Sequence, residues 1–491
     1  MNRIDLTKVV LPYETLTLIP AKSARTLKAL PISVEDNVLT VCVRDRHNFR
    51  VLHTLEQLTG MTVEAVEPFE ELDLKQALLL NYPDAFVDGS IHQAPELFRY
   101  LLVQALHIGA SDIHISPTKT ACTVKMRVDG KIRGGHSFST QTAAELASYI
   151  KVMAKMDISQ KRIPLDGNIE TEINGDAISL RVATVPTING EHVTLRLLTQ
   201  NEAVMALDAL DDLGLGTLQL RMLKQALSTA NGVVIISGPT GSGKTTTLYA
   251  GLRELAKDGE RHIVSIEDPV EKPIDKVTQI KVDSDGGRVS FHNALRSVLR
   301  HDPDVIMVGE IRDAETADIA LKSALTGHLV LATLHTNSAP GILNRLVDLG
   351  APDFLVASTL RLVIAQRLVR RPCTACMEWE VLSQDLLYKY GWSNRPTVKV
   401  PKTRGCPYCG YTGYSGRTAI YEMLPVNSAV QQMLIENKSE VEIYNYLKNK
   451  AYSLTLRGDG LRKVIEGLTT LEEVERTTVN DNDALFNLED I

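Results

Sequence analysis

The second half of the chain alternates between short apolar runs and longer segments in which apolar residues recur at helical spacing. The short runs contain four to six residues and show no regular polar alternation. Such runs are typical of parallel strands buried on both faces, with helices covering the sheet. We therefore predict an α/β core over residues 210–365. Its predicted strands are Val233–Ser237, His262–Ile266, Val305–Val308 and Leu329–Leu334, and its predicted helices are Lys244–Ala256, Phe291–Arg300, Ala314–Leu325 and Pro340–Leu349.

The residues before this core mix strand and helix patterns without that regular order. Residues 1–85 contain a strand pattern at Val38–Val43 and helical spacing at Phe49–Leu58, which predicts a small α+β domain. In residues 90–205, turn dipeptides such as Asp129-Gly130 separate apolar runs, as in β-hairpins. This region is predicted to be a second α+β module, with a helix at Pro95–Ile108 and strands at Ala121–Val128, Ile178–Val185 and His192–Leu198.

The residues after the core differ again. Residues 366–425 are rich in loop-forming residues and hold four of the six cysteines, so we predict a separate subdomain there. Residues 426–491 have the pattern of polar helices followed by an acidic tail, which we expect to fray.

Composition and charge exclude several classes of protein. With 44% hydrophobic and 23% charged residues, the chain is not intrinsically disordered. Its net charge of −7 does not suit bulk neutralisation of nucleic acid. The longest apolar runs fall far short of the roughly 18–20 residues that cross a bilayer, and the start carries Asp5 and Lys8 without a signal-peptide core. We expect a cytosolic protein that reaches a membrane only through a partner.

The strongest chemical signal is the sequence GPTGSGKT, which lies between a predicted strand and a predicted helix. In this context, backbone N–H groups surround a phosphate, Lys244 contacts the β- and γ-phosphates, and Thr245 holds Mg²⁺. A chance glycine-rich turn is disfavoured because all fixed positions of the motif are present. The predicted ATP-binding residues are Gly238, Pro239, Thr240, Gly241, Ser242, Gly243, Lys244, Thr245 and Thr246.

Two acids and two histidines stand at strand ends in the same core. Glu310 and Glu267 each follow a predicted strand, at the edge where parallel sheets bind ligands. An acid there can polarise water or hold a metal, whereas the alternative is a solvated loop carboxylate. His328 and His335 bracket the strand Leu329–Leu334. His335 is a candidate hydrogen-bond donor to the γ-phosphate, and for His328 a functional and a structural role stay open.

The four clustered cysteines form two C-x-x-C pairs, Cys373 with Cys376 and Cys406 with Cys409, separated by 29 residues. Two such pairs suit tetrahedral Zn²⁺ bound by four thiolates, and such a closed site is structural. Disulfides are the poorer alternative in a cytosolic chain. Cys42 and Cys122 are predicted to be core residues.

The order of these motifs resembles that of the type II secretion and type IV pilus assembly ATPases. The match starts near Gly109–His114 and continues to about Pro425. Beyond the phosphate loop, that family's aspartate box, atypical Walker B motif and histidine box correspond to Ser265–Glu271, Asp302–Asp313 and Thr326–Asn337.

The resemblance implies a RecA-like P-loop ATPase core, preceded by a PAS-like α+β domain and a small N-terminal α+β domain, with an inserted four-cysteine zinc subdomain. It implies a homohexamer in which Glu310 and Glu267 share metal and water positioning, without deciding which is the base. The PAS-like domain would supply Arg181 and Arg196 in trans; the alternative is that they form surface ion pairs.

By the same resemblance, ATP hydrolysis powers assembly of a pilus or pseudopilus for type II secretion through a polytopic inner-membrane platform protein. Residues 1–85 would dock onto the cytoplasmic domain of an inner-membrane protein, which places the chain at the periphery of that membrane. The alternatives are an ATPase of type IV pilus assembly or of a DNA-uptake pseudopilus, a RecA-like nucleic-acid translocase, and a nucleotide sensor without hydrolysis. No nucleic-acid partner is expected, since basic-aromatic stretches are missing from the sequence.

Overall fold

The structure is a computed structural model in which the chain forms two compact units. The first comprises Met1–Asn201 with Cys373–Met377 and Thr403–Ser415, and the second comprises Glu202–Pro372, Glu378–Lys402 and Gly416–Ile491. The described residues are 3–4, 6, 11, 13–16, 18–69, 71–82, 94–134, 137–173, 176–198, 209–282, 289–448 and 455–478. The predicted acidic tail, from residue 479 onward, lies outside them.

The N-terminal part of the first unit has a four-stranded sheet in the order β1-β4-β3-β2. Its helix α3 begins after Asn48, whose side chain accepts a hydrogen bond from the Val51 backbone, and ends at Gly60. The predicted strand and helix are both present, as expected. The strands are β1 (Arg3–Ile4), β2 (Ala29–Glu35), β3 (Val38–Val43) and β4 (Thr62–Pro68), and the helices are α1 (Tyr13–Leu16), α2 (Ala21–Leu27), α3 (Phe49–Thr59) and α4 (Glu71–Asn81).

The rest of the first unit is built on an antiparallel sheet with the strand order β7-β6-β5-β11-β10-β9, and β8 pairs with β6. Asp129 and Gly130 both have positive φ, as a tight hairpin turn requires. Strand β9 was not predicted because only two of its side chains are buried. The elements are α5 (Ala94–His107), β5 (Ala110–Pro117), β6 (Cys122–Val128), β7 (Lys131–Arg133), β8 (Ser137–Phe138), α6 (Thr140–Met153), β9 (Leu165–Ile173), β10 (Asp176–Thr187) and β11 (Gly190–Leu197).

The second unit contains a seven-stranded sheet in the order β14-β13-β15-β16-β12-β17-β20. Its pairings from β14 through to β17 are parallel, as predicted. The strands are β12 (Gly232–Ser237), β13 (Ile263–Glu267), β14 (Val277–Lys281), β15 (Val305–Val308), β16 (Leu329–Leu334), β17 (Leu360–Pro372) and β20 (Tyr414–Pro425). The helices up to β17 are α7 (Thr217–Leu227), α8 (Lys244–Ala256), α9 (Phe291–Val298), α10 (Ala314–Leu325), α11 (Pro340–Asp348) and α12 (Asp353–Thr359).

Successive side chains of the central strand β12 pack into two different hydrophobic clusters. Val233 and Ile235 join the cluster that contains residues of α9 to α12, whereas Val234 and Ile236 join the cluster formed with α7 and α8. Every residue of β12 is buried. The unbroken apolar run therefore reflects helices on both faces of the sheet.

The prediction that residues 366–425 are loop-rich is wrong at both ends of that segment. Strands β17 and β20 belong to the seven-stranded sheet, and charged residues such as Arg367 and Arg417 obscured their strand patterns. Between them lie β18 (Met377–Val381), α13 (Gln384–Lys389) and β19 (Lys399–Thr403). The predicted C-terminal helices are present as α14 (Ser428–Ile435), α15 (Glu440–Lys448), α16 (Leu456–Ile465) and α17 (Leu471–Thr477). No helix in the described parts of the chain is long and apolar enough to cross a membrane.

Candidate nucleotide site and cysteine cluster

The glycine-rich loop connects the buried strand β12 to helix α8, which begins at Lys244. Gly238 and Gly243 have φ angles of 154° and 86°, a region that side chains rarely adopt. A Cβ atom at Gly238 would lie 2.5 Å from the Gln366 carbonyl oxygen, and one at Gly243 would lie 2.8 Å from Gln366 Nε2. Only glycine fits these positions, so the backbone can curl into a phosphate-sized cradle.

Gln366 supports this loop from strand β17 and is 2% exposed. Its Nε2 donates to the Ser242 carbonyl oxygen at 2.9 Å, and its Oε1 accepts from Thr247 Oγ1 at 2.9 Å. The two bonds tie the end of the loop and the first turn of α8 to a core strand. Sequence reasoning missed Gln366; its signal was a polar residue within the apolar run of β17.

Lys244 folds back over the loop that it follows. Its Nζ donates to the carbonyl oxygens of Gly238 at 2.8 Å and Pro239 at 3.2 Å. Burial lowers the pKa of Lys244, and nearby Glu310 opposes this effect. Ser242 Oγ is buried without a hydrogen-bond partner. The loop thus offers a cation, an unsatisfied hydroxyl and a helix N-terminus, which together fit a phosphate group.

Glu310 lies just beyond the carboxyl end of β15, with 18% of its side chain exposed. Its carboxylate contacts Arg312, and its Oε2 lies 3.4 Å from His335 Nε2. Thr333 Oγ1 donates to the Gly309 carbonyl oxygen at 2.5 Å, which fixes the start of this turn against β16. The structure therefore brings Glu310, His335 and Lys244 to the same edge of the sheet.

Glu267 ends strand β13 and is 3% exposed. It accepts from Ser265 Oγ at 2.5 Å, from Gln279 Nε2 at 3.0 Å and from the Tyr249 hydroxyl. Burial and the contact with Glu267 raise the pKa of Tyr249, which therefore stays a neutral donor. Three donors hold this carboxylate in one orientation.

The two histidines that bracket β16 lie at opposite ends of that strand. His335 is half exposed beside Glu310. His328 precedes the strand, where its carbonyl oxygen accepts from the Gly232 backbone and its Nδ1 donates to the Ser323 carbonyl oxygen at 2.8 Å. Because the phosphate loop follows the other end of β12, the structure favours the structural role for His328.

Arg367 is a second residue near the loop that sequence reasoning missed. Its guanidinium donates to the Asn337 carbonyl oxygen at 3.0 Å and to Asn337 Oδ1 at 3.1 Å. Burial lowers the pKa of Arg367, and the Arg367 charge in turn lowers the pKa of Lys244. Arg367 thus adds a further positive side chain near Lys244, beside the candidate phosphate site.

Arg181 and Arg196 lie in the first unit, directly opposite each other on the antiparallel strands β10 and β11. Both are exposed, and like charges in such a pair repel. Arg196 Nε donates to Asp112 Oδ1 at 2.9 Å, and Arg127 lies 3.7 Å from the other oxygen of the same carboxylate. An ion pair, as expected from the surface interpretation, is therefore present for Arg196, although its partner carboxylate is buried.

The four cysteine sulfurs of the first unit, from Cys373, Cys376, Cys406 and Cys409, all lie within 4.8 Å of one another. Three sulfur–sulfur distances are 3.8, 3.9 and 4.0 Å. A tetrahedron with Zn–S bonds of about 2.3 Å has edges of about 3.8 Å, so the cluster has the dimensions of a zinc site. Cys42 and Cys122 are buried elsewhere, in the core as predicted.

Hydrogen bonds within the cluster favour thiolate at one position. Cys409 Sγ lies 3.2 Å from both the Cys406 and Gly413 backbone nitrogens. Burial opposes ionisation, but these N–H groups lower the pKa of Cys409. Burial raises the pKa of Cys406 to about 12, which disfavours a free thiolate there without a cation.

Residues 90–476 match the family model described as Type II/IV secretion system protein. The chain belongs to this family. Residues 1–86 match a further model, the MshEN domain. The α/β fold class and the ATP hydrolase activity expected from the sequence are thereby confirmed.

Two relatives of this chain are named for the type II secretion system. The Type II secretion system ATPase E of Vibrio cholerae is 39% identical over 446 residues, which cover 90% of this chain and 85% of that protein. The Type II secretion system protein E of Dickeya dadantii is 43% identical over 397 residues, covering 80% and 78% respectively. The chain thus matches both relatives over most of their length.

Solved structures support the same fold. The pilus retraction motor PilT with bound ADP aligns at a TM-score of 0.53 and 26% identity, over 80% of this chain and 99% of that one. The ATPase DotB of Legionella pneumophila aligns at a TM-score of 0.57 and 23% identity, over 78% and 95%, and shows likeness of fold alone.

Proposed function

We propose that this secretion ATPase is the cytoplasmic ring motor that powers pseudopilus assembly in type II secretion. The observation that carries the proposal is the convergence of Lys244, Glu310 and His335 at one sheet edge, beside a loop that requires glycine at positions 238 and 243. A motor needs hydrolysis as well as binding, and an acid beside the phosphate loop supplies what a passive nucleotide sensor lacks.

Each residue of the site has a separate role in the proposal. The loop Gly238–Gly243 and Lys244 bind the phosphates of ATP, and the Thr245 hydroxyl holds Mg²⁺. When bound, this metal neutralises charge that develops on the phosphates. Glu310 would help to position the metal and the γ-phosphate, and His335, whose Nε2 lies 3.4 Å from Glu310 Oε2, would donate a hydrogen bond to the γ-phosphate. Glu267, fixed by its three donors, would share the positioning of metal and water with Glu310.

Arg181 and Arg196 complete the site of a neighbouring protomer in a homohexamer. Asp112 pairs with Arg196 within the protomer, and an anion bound between Arg196 and Arg181 would further reduce the repulsion between the two arginines. A triphosphate bound to the next subunit is such an anion. Each ATP then contacts two subunits, so hydrolysis can change their relative position.

The four cysteines bind one structural Zn²⁺. Their spacing matches a closed tetrahedral site with no position left for water. The metal would join two short segments of the first unit, Cys373–Met377 and Thr403–Ser415, which are separated along the chain.

The membrane connection is made by partners. Residues 1–85 dock onto the cytoplasmic domain of an inner-membrane protein, and the ring acts on a polytopic platform protein. Relatives named for type II secretion support this assignment over an ATPase of type IV pilus assembly or a DNA-uptake pseudopilus. No nucleic acid takes part.

The decisive experiment measures steady-state ATP turnover of the full chain against protein concentration, with and without DNA, and determines the assembly state under the same conditions. We expect turnover per subunit to rise as hexamers form and to be unaffected by DNA. Stimulation by DNA would support a translocase instead. Turnover that does not depend on assembly would contradict the proposal that Arg181 and Arg196 act in trans.

A further inference from the structure

The loop around the last two cysteines contacts the N-terminal domain, within the same compact unit. This loop, Gly405–Gly413, carries Tyr408 and Tyr411 next to the cysteines. Tyr408 packs against the hydrophobic core formed by residues 4–82. The Tyr411 hydroxyl is buried beside the Ser33 side chain, with Glu35 nearby.

The strand that carries Ser33, next to the Tyr411 hydroxyl, is unusually buried for an edge strand. Strand β2 lies at the edge of its sheet, yet all five residues from Ala29 to Ser33 are buried. Side chains on one strand alternate between the two faces, so both faces are covered at this edge. Ser33 is 7% exposed, next to a shift in register between β2 and β3.

The conformation of the loop depends on the two cysteines that it contains. Cys406 and Cys409 directly flank the turn that carries Tyr408. Tyr411 has a φ of 60°, rare for a bulky residue, and its backbone N–H donates to the Cys406 carbonyl oxygen at 2.9 Å. A metal that binds both sulfurs would therefore fix the loop geometry that presents both tyrosines.

We propose that the cysteine cluster is a metal-dependent latch for the N-terminal domain. With Zn²⁺ bound, Tyr411 is held beside Ser33 of β2, and Tyr408 is held against the hydrophobic core of the N-terminal domain. When the metal is lost, the loop relaxes and the domain is released. This inference rests on the proposed zinc site but concerns a different property, the docking of residues 1–85 against the loop.

The test is hydrogen–deuterium exchange of the full chain, read by mass spectrometry at residues 29–35, together with elemental analysis. The double variant Tyr408→Ala, Tyr411→Ala is expected to keep one zinc per chain and to exchange about tenfold faster in β2. Tyr388→Ala, a matched variant at a tyrosine whose side chain is 77% exposed, is expected to exchange like the parent. Chelation of the parent should speed exchange in β2, and added Zn²⁺ should restore protection.

The outcomes separate the latch from the zinc site. A parent chain that purifies without metal overturns both. A zinc-loaded parent overturns the latch alone if its β2 exchange is unchanged by chelation, or if the double tyrosine variant exchanges like the parent. Chelation is used because a cysteine variant can fail to fold.

Discussion

Gln366 and Thr247 join strand β17 to the helix of the phosphate loop through a 2.9 Å hydrogen bond between buried side chains. The same amide donates to the Ser242 carbonyl oxygen. A residue far along the chain from the glycine-rich motif therefore holds that motif in its binding conformation. The position follows from the pairing of β12 with β17, in which Ser237 lies opposite Ala365.

We expect Gln366→Leu to weaken both the fold and nucleotide binding. The substitution leaves the Ser242 carbonyl and the Thr247 hydroxyl without their buried partner, which costs about 1–3 kcal/mol of the free energy of unfolding. The KM for ATP should rise as the loop loses its support. Denaturant unfolding and steady-state kinetics measure the two effects, and Gln384→Leu, at an exposed position, is the control. An unchanged KM would show that the loop keeps its shape without Gln366.

Glu310→Gln should separate nucleotide binding from hydrolysis. The substitution keeps the shape of the side chain but removes its charge, so kcat should fall by about 10² to 10⁴ while ATP binding remains. Glu267→Gln should lower kcat as well and also destabilise the fold, because it disturbs the contact with Tyr249. Turnover assays and a fluorescent-nucleotide titration distinguish these effects, with the exposed Glu260→Gln as control. If Glu310→Gln turned over ATP as fast as the parent, Glu310 would have no role in hydrolysis.

Arg196→Ala should keep ATP binding and lower turnover of the assembled protein by about 10³ to 10⁵, as for other arginines supplied in trans. Mixing this variant with Lys244→Ala subunits gives a sharper result. Some interfaces then combine an intact phosphate loop with an intact arginine, so activity should partly return. Lys125→Ala, at an exposed position of β6, is the control. Failure to recover activity in assembled mixtures would favour the ion pair with Asp112 as the whole role of Arg196.

The cysteine cluster should bind one Zn²⁺ per chain in freshly purified, reduced protein. Cys406→Ala should lose the metal and locally unfold Cys373–Met377 and Thr403–Ser415, the segments that hold the cysteines, since four-thiolate sites contribute about 10–16 kcal/mol of apparent binding energy in small peptides. Elemental analysis and limited proteolysis check this result. Cys42→Ala should retain zinc, because Cys42 belongs to the N-terminal core. A metal-free parent protein would refute the site.

Acid should destabilise the second unit through Glu473. Burial raises the pKa of this carboxyl, but hydrogen bonds from Arg476 and Arg370 outweigh burial and lower the pKa to about 2. A carboxyl whose pKa is lowered on folding stabilises the folded state at pH values above its pKa in the unfolded chain, which is about 4.3. This stabilisation is lost as the pH falls from about 4.3 toward 2. We expect Glu473→Gln to lower the free energy of unfolding at pH 7 by about 2–4 kcal/mol.

The control for this prediction is the pH dependence itself. Between about pH 4.3 and 2, the parent should lose more stability than Glu473→Gln, because the variant has no carboxyl to protonate at this position. Denaturant unfolding at several pH values measures the difference. Equal acid sensitivity of the two proteins would show that Glu473 does not control stability in this range.

The sequence predicted features that are local along the chain and missed those that depend on pairing between distant strands. The phosphate loop, Glu310 and the cysteine pairs were found because each motif is contiguous or regularly spaced. Gln366 and Arg367 were missed because their proximity to the loop follows from strand order. The loop-rich prediction failed at β17 and β20 because charged side chains such as Arg367 and Arg417 interrupt the apolar pattern of these largely buried strands.

The paired arginines on β10 and β11 have a consequence for how the motor would stay together. Under the proposed arrangement, each nucleotide contacts two protomers. If the neighbouring protomer raises the affinity for ATP, bound ATP raises the affinity between the two protomers by the same factor. Loss of the γ-phosphate then loosens the joint at the moment the stroke is complete. The stability of the ring and the stage of ATP hydrolysis would therefore depend on the same coupling free energy.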